Sequence, residues 1–161
     1  MGTSIGAVID YLVTGLVAPL KVIDATVQVA DNEPGLNSQS LVVIGRSGPD
    51  AGDAGLVANE YLELGSALLE ETWTLDGYVD CFRPGPAQKP ARDAALALYD
   101  GVLHFLQADL TLGGNLHRGR YASLTTVTLT QTQDADDTGD SGALRRAVVS
   151  FTLRIPNTYT P

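Results

Sequence analysis

PARDAALALYDGVLHFLQADLTLGG, residues 90–114, is the stretch on which the fold turns. Ala91, Ala94, Ala95, Leu98, Val102, Phe105 and Leu106 recur at three- and four-residue spacing, the period of one buried helical face. Arg92, Asp93 and Asp100 lie off that stripe. Pro90 suits a first helical turn, where a missing N–H loses no partner. The spacing predicts a helix to about Ala108, with Gly113-Gly114 turning the chain. On its other side, Arg83-Pro84-Gly85-Pro86 is a hard stop for whatever precedes it.

Upstream, residues 60–82 read as mostly extended. Leu69, Glu71, Trp73 and Leu75 alternate with Glu70, Thr72, Thr74 and Asp76, so one face is mainly apolar and the other polar. Trp73 is expected on the apolar face. Asp76-Gly77 fits a hairpin turn or a bulge in one long strand, and the continuing pattern Tyr78, Val79, Cys81, Phe82 favours the bulge. Leu41 to Gly45 is a short apolar run of buried-strand type, and Val22 to Ala30 reads as a strand. Arg46 to Gly55 is a loop by its Gly48-Pro49 and Gly52. At the N-terminus, Ile5, Val8, Ile9, Leu12 and Leu16 mark a short helix over residues 4–17, capped by Thr3 or Ser4 and ended by Pro19.

Downstream, residues 120–132 are threonine-rich around Leu124, Val127 and Leu129, which is strand composition. Asp134 to Gly142 is an acidic loop. Val149, Phe151, Leu153 and Ile155 then alternate with polar residues as a last strand, stopped by Pro156. Strands clustered between single helices predict an α+β domain over residues 1–161, with a mostly antiparallel sheet and both helices on one face.

Composition narrows the function. A chain of 161 residues and 44% hydrophobic content is of ordinary single-domain size. One cysteine, Cys81, excludes an internal disulfide and a thiolate zinc cage. Met1-Gly2-Thr3-Ser4 has no basic region of a secretory leader, and no unbroken apolar run approaches the roughly 18 residues of a membrane span. Residues 1–80 hold 12 acids and 2 bases, net −10, whereas residues 81–161 hold 7 acids and 8 bases, net +1. That acidity opposes tight nucleic-acid binding, which needs Lys and Arg at phosphates.

Catalytic motifs are missing from the sequence. There is no GxGxxG, no phosphate-binding GxxxxGK[ST] and no GxSxG. Cys81 reads as a buried structural thiol and His104 as a helix-margin residue. His117, Arg118 and Arg120 form a small basic loop end. Glu70 and Glu71 point to opposite faces of a strand and cannot act as a carboxylate pair. Asp134, Asp136 and Gly139 match the opening of a calcium loop, but Arg145 stands where the closing bidentate glutamate belongs. A solvated hairpin tip is the default there, with an acidic surface aimed at a partner or pore as the alternative. No cofactor is expected.

The run Ala91-Arg92-Asp93-Ala94-Ala95-Leu96 through Leu103, the turn Asp109-Leu110-Thr111-Leu112-Gly113-Gly114, the threonine-rich strand, the acidic loop and the closing strand Val148 to Ile155 together resemble the tail terminator (tail completion) proteins of long-tailed, siphovirus-type bacteriophages. The resemblance is strongest over residues 89–155, and Arg46 to Gly55 has no match in it. It implies a homohexameric ring at the tail–neck junction of the virion, assembled in the host cytoplasm. Such a ring caps the tail-tube protein, meets a head-completion or neck protein and leaves a lumen for transient, non-specific DNA passage, with no enzymatic activity and no membrane partner. On this reading Asp134, Asp136, Asp137, Asp140, Arg145 and Arg146 are candidate lumen or subunit-interface residues, the arginines pairing with the loop acids across a subunit joint. Another virion connector, a head-closure or tail-tube protein, is the nearest alternative. A small ligand-binding α+β domain using His117, Arg118, Arg120 and the acidic loop is the alternative of another class.

Overall fold

A computed structural model of the chain describes residues 5–32, 38–49, 57–63, 69–117, 119–134 and 144–159. The element order is α1 (Ile5–Ile23), β1 (Gln28–Asp31), β2 (Ser40–Ile44), β3 (Val57–Glu63), β4 (Leu69–Pro84), α2 (Lys89–Ala108), β5 (Ser123–Asp134) and β6 (Leu144–Tyr159). Six strands form one mixed sheet in the order β1-β2-β4-β6-β5, with β3 also on β4. β4 is the axis of the sheet. Along one edge it pairs with β6 over its whole length, and along the other it pairs first with β3 and then, from Gly77, with β2.

The fold class is α+β, as the sequence pattern predicts. Both helices pack on one face: α1 lies by β1 and β2, and α2 by β4 and β6. The core between them holds Val8, Leu12, Leu16 and Leu20 of α1, and Ala91, Ala95, Leu98, Val102 and Leu106 of α2. From the sheet come Val42, Ile44, Leu75, Val79, Cys81, Val149, Phe151, Leu153 and Ile155. α2 begins and ends where its stripe places it. Trp73 packs half-buried against this core, and its Nε1 finds no hydrogen-bond partner among the described residues. Its fluorescence is therefore expected to be blue-shifted in the native state; the emission of a fully hydrated indole would contradict the strand phase.

Four expectations need correction. The sheet is mixed, because β1 and β2 run parallel, while the other described pairings are antiparallel. The cause is Asp24. One carboxylate oxygen accepts the Thr26 N–H at 2.9 Å and hydroxyl at 2.7 Å, just before β1, and the other accepts the Ser40 hydroxyl at the start of β2. Both strands thus begin at one point and run the same way.

Helix α1 does not stop at Pro19 but continues to Ile23. A proline inside a helix costs about 3 kcal/mol. Here the next turn carries Leu20, which is fully buried against Gly101, where any side chain would collide with Leu20 and Ile23. Burial of that leucine offsets part of the cost. The same helix is the one described segment long and apolar enough, by length and composition, to cross a membrane, with a mean hydropathy of 1.6. Its Val8-Leu12-Leu16-Leu20 stripe is committed to the core.

Pro156 does not end β6, which pairs with β4 as far as Tyr159. β5 accompanies β6 only as far as Arg154, so beyond that residue β6 has a free edge where a missing donor is tolerated. Finally, Asp76-Gly77 is neither a turn nor a bulge, since the β4–β6 register runs through it unbroken from Asp76↔Thr152 to Gly77↔Phe151.

The turn after α2 is built on Asp109. Its carboxylate accepts the Thr111 N–H at 3.0 Å, the Thr111 hydroxyl, the Gly113 N–H at 2.7 Å and the Tyr11 hydroxyl at 3.0 Å. Leu112, Gly113 and Gly114 all take left-handed φ values, and Gly113 lies flat on the Tyr11 ring, where a Cβ would come within 2.7 Å. The Thr111 hydroxyl, with the Gly113 and Thr111 N–H groups and Tyr11, holds the Asp109 carboxyl at about 2, below its ordinary 3.8. Asp109→Ala is expected to cost about 2 kcal/mol, since several hydrogen bonds to one charge are lost. The ionic part of that stability is complete above about pH 4 and disappears as pH falls through about 2. Acid unfolding of the wild type against Asp109→Asn measures it: the two curves should converge below about pH 2.

Candidate functional site

The sequence directs attention to the β5–β6 hairpin, and the structure places its residues as follows. Asp134 ends β5, its backbone paired with Leu144. Asp136, Asp137, Asp140 and the adjoining calcium-like loop lie outside the described residues, as does Arg118. Arg145 and Arg146 are neighbours on a strand and so face opposite sides of the sheet. Both are engaged within the chain.

Arg145 is buried, and its Nε and Nη2 donate to the Pro86 carbonyl at 3.3 and 3.1 Å, pinning the segment that enters α2. Gln88 makes the matching bond from the other side, its amide donating to the Arg146 carbonyl at 2.8 Å. Arg146 forms a two-pronged ion pair with Asp80 on β4, Nε to Oδ1 at 3.0 Å and Nη2 to Oδ2 at 2.7 Å. Its guanidinium lies over the Phe82 ring, 4.7 Å from the centroid. The partner that the structure gives Arg146 is thus a buried strand acid, and neither arginine is a plain solvated stem residue.

Around Arg146, on the sheet face away from the helices, Gly48, Pro49, Thr130, Thr132, Val148 and Ser150 line a groove of about 200 Å³. This is where the start of the Arg46–Gly55 loop goes: residues 48 and 49 lie against the outer face of β6. The outer face is consequently not the open polar surface that the alternation in β4 implies. Tyr78, Leu41, Val43 and Val148 form a second buried cluster there, and Asp76 and Asp80 are buried with it. Asp76 accepts the Thr152 hydroxyl at 2.7 Å.

A second polar cluster was not singled out from the sequence. Arg83 at the end of β4 donates through Nη2 to Asp24 at 3.1 Å and to the Ser40 hydroxyl at 3.0 Å, and through Nη1 to the carbonyls of Gln39 and Phe82 at 3.0 and 2.7 Å. Burial alone would raise the Asp24 carboxyl, but the Ser40 and Thr26 hydroxyls, the Thr26 N–H and Arg83 outweigh it and hold it at about 2. A cleft of about 360 Å³, lined in part by Asp24, Arg83, Ala94 and Leu98, opens beside it. Asp24-Ala25-Thr26 is a readable turn signature; the reach of Asp24 to Ser40 and Arg83 has no sequence signal.

This arrangement ties elements together rather than activating a group. Burial pushes the Cys81 thiol up to about 11, so it is a poor nucleophile. His104 and His117 are exposed on the surface, at the flank of α2 and after the glycine turn. Among the described residues no group of three or more His, Cys, Asp or Glu side chains is placed to hold a metal. A scan against protein-family models finds no match for the chain, and no curated protein is significantly similar to it in sequence.

Proposed function

We propose that the chain is a structural subunit that works by assembling head-to-tail with copies of itself. Within that class, our reading is a bacteriophage tail terminator: a ring, hexameric in the family it resembles, that stops tail-tube growth and joins the tail to the neck of the head.

One observation carries the proposal. The charge asymmetry along the sequence becomes an asymmetry in space. The net −10 half contributes α1, β1 and β2 at one edge of the sheet, and the net +1 half contributes β6 and β5 at the other. A ring needs two different, complementary surfaces on each subunit, and opposite edges of unlike charge supply them. An acidic wall also repels phosphate and lets DNA pass without sticking, the reverse of counterion-releasing binding. The loop acids Asp134, Asp136, Asp137 and Asp140 belong to that wall or to the subunit joint in this reading.

Light scattering after size exclusion, with negative-stain imaging of the main peak, tests it. Closed single rings that bind the ends of tail tubes are the expected result. Long tubes would make the chain a tail-tube protein, rings that bind only neck components a head-closure protein, and a monomer that ignores tubes a ligand-binding domain.

A further inference from the structure

Six of the exposed large hydrophobic side chains among the described residues fall in two places. The first is a trough between α2 and β5. α2 packs on β4 and β6, and β5 overhangs beyond it. Val127 and Leu129 pair in register with the core residues Phe151 and Val149, so they share the core side of the sheet, yet they remain 48% and 40% exposed. Leu96, Tyr99, Leu103 and Leu110 recur along the facing flank of α2, and Leu96 and Leu110 are exposed as well. At its far end the trough deepens into a groove of about 190 Å³ walled by Leu103, Leu106, Leu110, Ala122, Leu124 and Leu153. The strand forming its rim carries no charge, proline or glycine from Ser123 to Gln133. Soluble proteins protect a free edge with such residues, and this edge lacks them.

The second place is the C-terminal end of α1, on the β1 side of the molecule. Val22 is 88% exposed there, and Ile23 beside it is 45% exposed.

We infer that these two places are the two halves of one contact between copies: the α2/β5 trough of one copy receives the Val22–Ile23 end of α1 from the next. The inference rests on the ring reading and adds the surfaces that would close it. An apolar projection and an apolar trough on opposite sides of one chain fit each other head-to-tail, and that geometry continues from copy to copy. It also sets the net −10 edge of one copy against the net +1 edge of its neighbour. A symmetric trough-to-trough contact would leave Val22 in water and gain no such complementarity.

The test uses the full chain with cysteines at exposed positions and a short bis-maleimide cross-linker. The native Cys81 is buried, with its thiol pushed up to about 11, and stays out of the reaction. The double variant Val22→Cys/Leu129→Cys is expected to give a ladder of cross-linked oligomers on a denaturing gel. Val22→Cys mixed with Leu129→Cys should give heterodimers and nothing larger, and each single variant alone should stay monomeric. Cross-linking of Leu129→Cys to itself would establish a symmetric contact and overturn the inference. So would the absence of a ladder in the double variant at the concentrations used for light scattering. The two proposals fail separately: wild-type rings without a ladder remove this contact and keep the ring, while a ladder from a chain that ignores tail-tube ends keeps the contact and removes the terminator.

Discussion

Asp80→Ala is expected to destabilise the protein by about 3–5 kcal/mol, read as a fall in the urea midpoint at unchanged slope. Asp80 is 3% exposed, and Arg146 sits over Phe82 with only 18% of its side chain in contact with solvent. Removing the carboxylate strands a guanidinium that has already given up most of its water. A buried ion pair is nevertheless weak evidence of net stability, because both desolvation penalties must be met first. Replacing both partners at once, Asp80→Leu with Arg146→Met, should therefore recover most of the loss. A loss below about 1 kcal/mol in the single variant would mean that Arg146 re-partners freely, as an exposed arginine does.

Gly77→Val is expected to cost about 3 kcal/mol. Gly77 lies between Ile44 of β2 and Phe151 of β6. A Cβ there would come within 2.6 and 2.7 Å of the Phe151 ring and 3.0 Å of the Val43 carbonyl oxygen. The ring of Phe151 occupies the space that every other residue of β4 fills with its own side chain. Gly77→Ala should be milder, and its cost should shrink in a Phe151→Leu background, a coupling that a double-mutant cycle measures. Equal costs in both backgrounds would show that the glycine serves its backbone and not the ring.

That glycine shows what the sequence carries and where it stops. Asp76-Gly77 is a turn signal by composition, and only the run Tyr78 to Phe82 beyond it keeps the strand whole. The reason for the glycine, an aromatic side chain 74 positions away, has no local trace. α2 was legible because its stripe and Pro90 both act within a few residues. Pro19 and Pro156 misled for the complementary reason: a breaker is a local cost, and Leu20 in the core and the free edge of β6 are long-range compensations. The parallel β1–β2 pair depends on Asp24 reaching Ser40, which periodicity does not encode. At the candidate site, the two arginines and the acids were legible as charges, but their pairing was not. Asp80 reads as one polar residue in an alternating strand, and only the covering of the outer face reveals it as the partner of Arg146. The α2/β5 trough was hidden too, because Val127 and Leu129 look like ordinary core residues until the sheet order puts β5 outside the helix layer.

The position of β6 in the sheet has a consequence for how the chain is made. β6 lies between β4 and β5, yet among the described elements it is the last to leave the ribosome. Until residues 144–159 emerge, β4 has one bare side and β5 has no neighbour. The two central strands are also distant in sequence, a topology whose loops must close before any pairing compensates them, with folding times in the millisecond-to-second range. The nascent chain thus spends its synthesis as α1, α2 and a half-built sheet, and the surfaces through which copies would meet take shape only after translation has passed β6. Assembly of this protein is therefore a post-translational event, limited by the arrival of one strand.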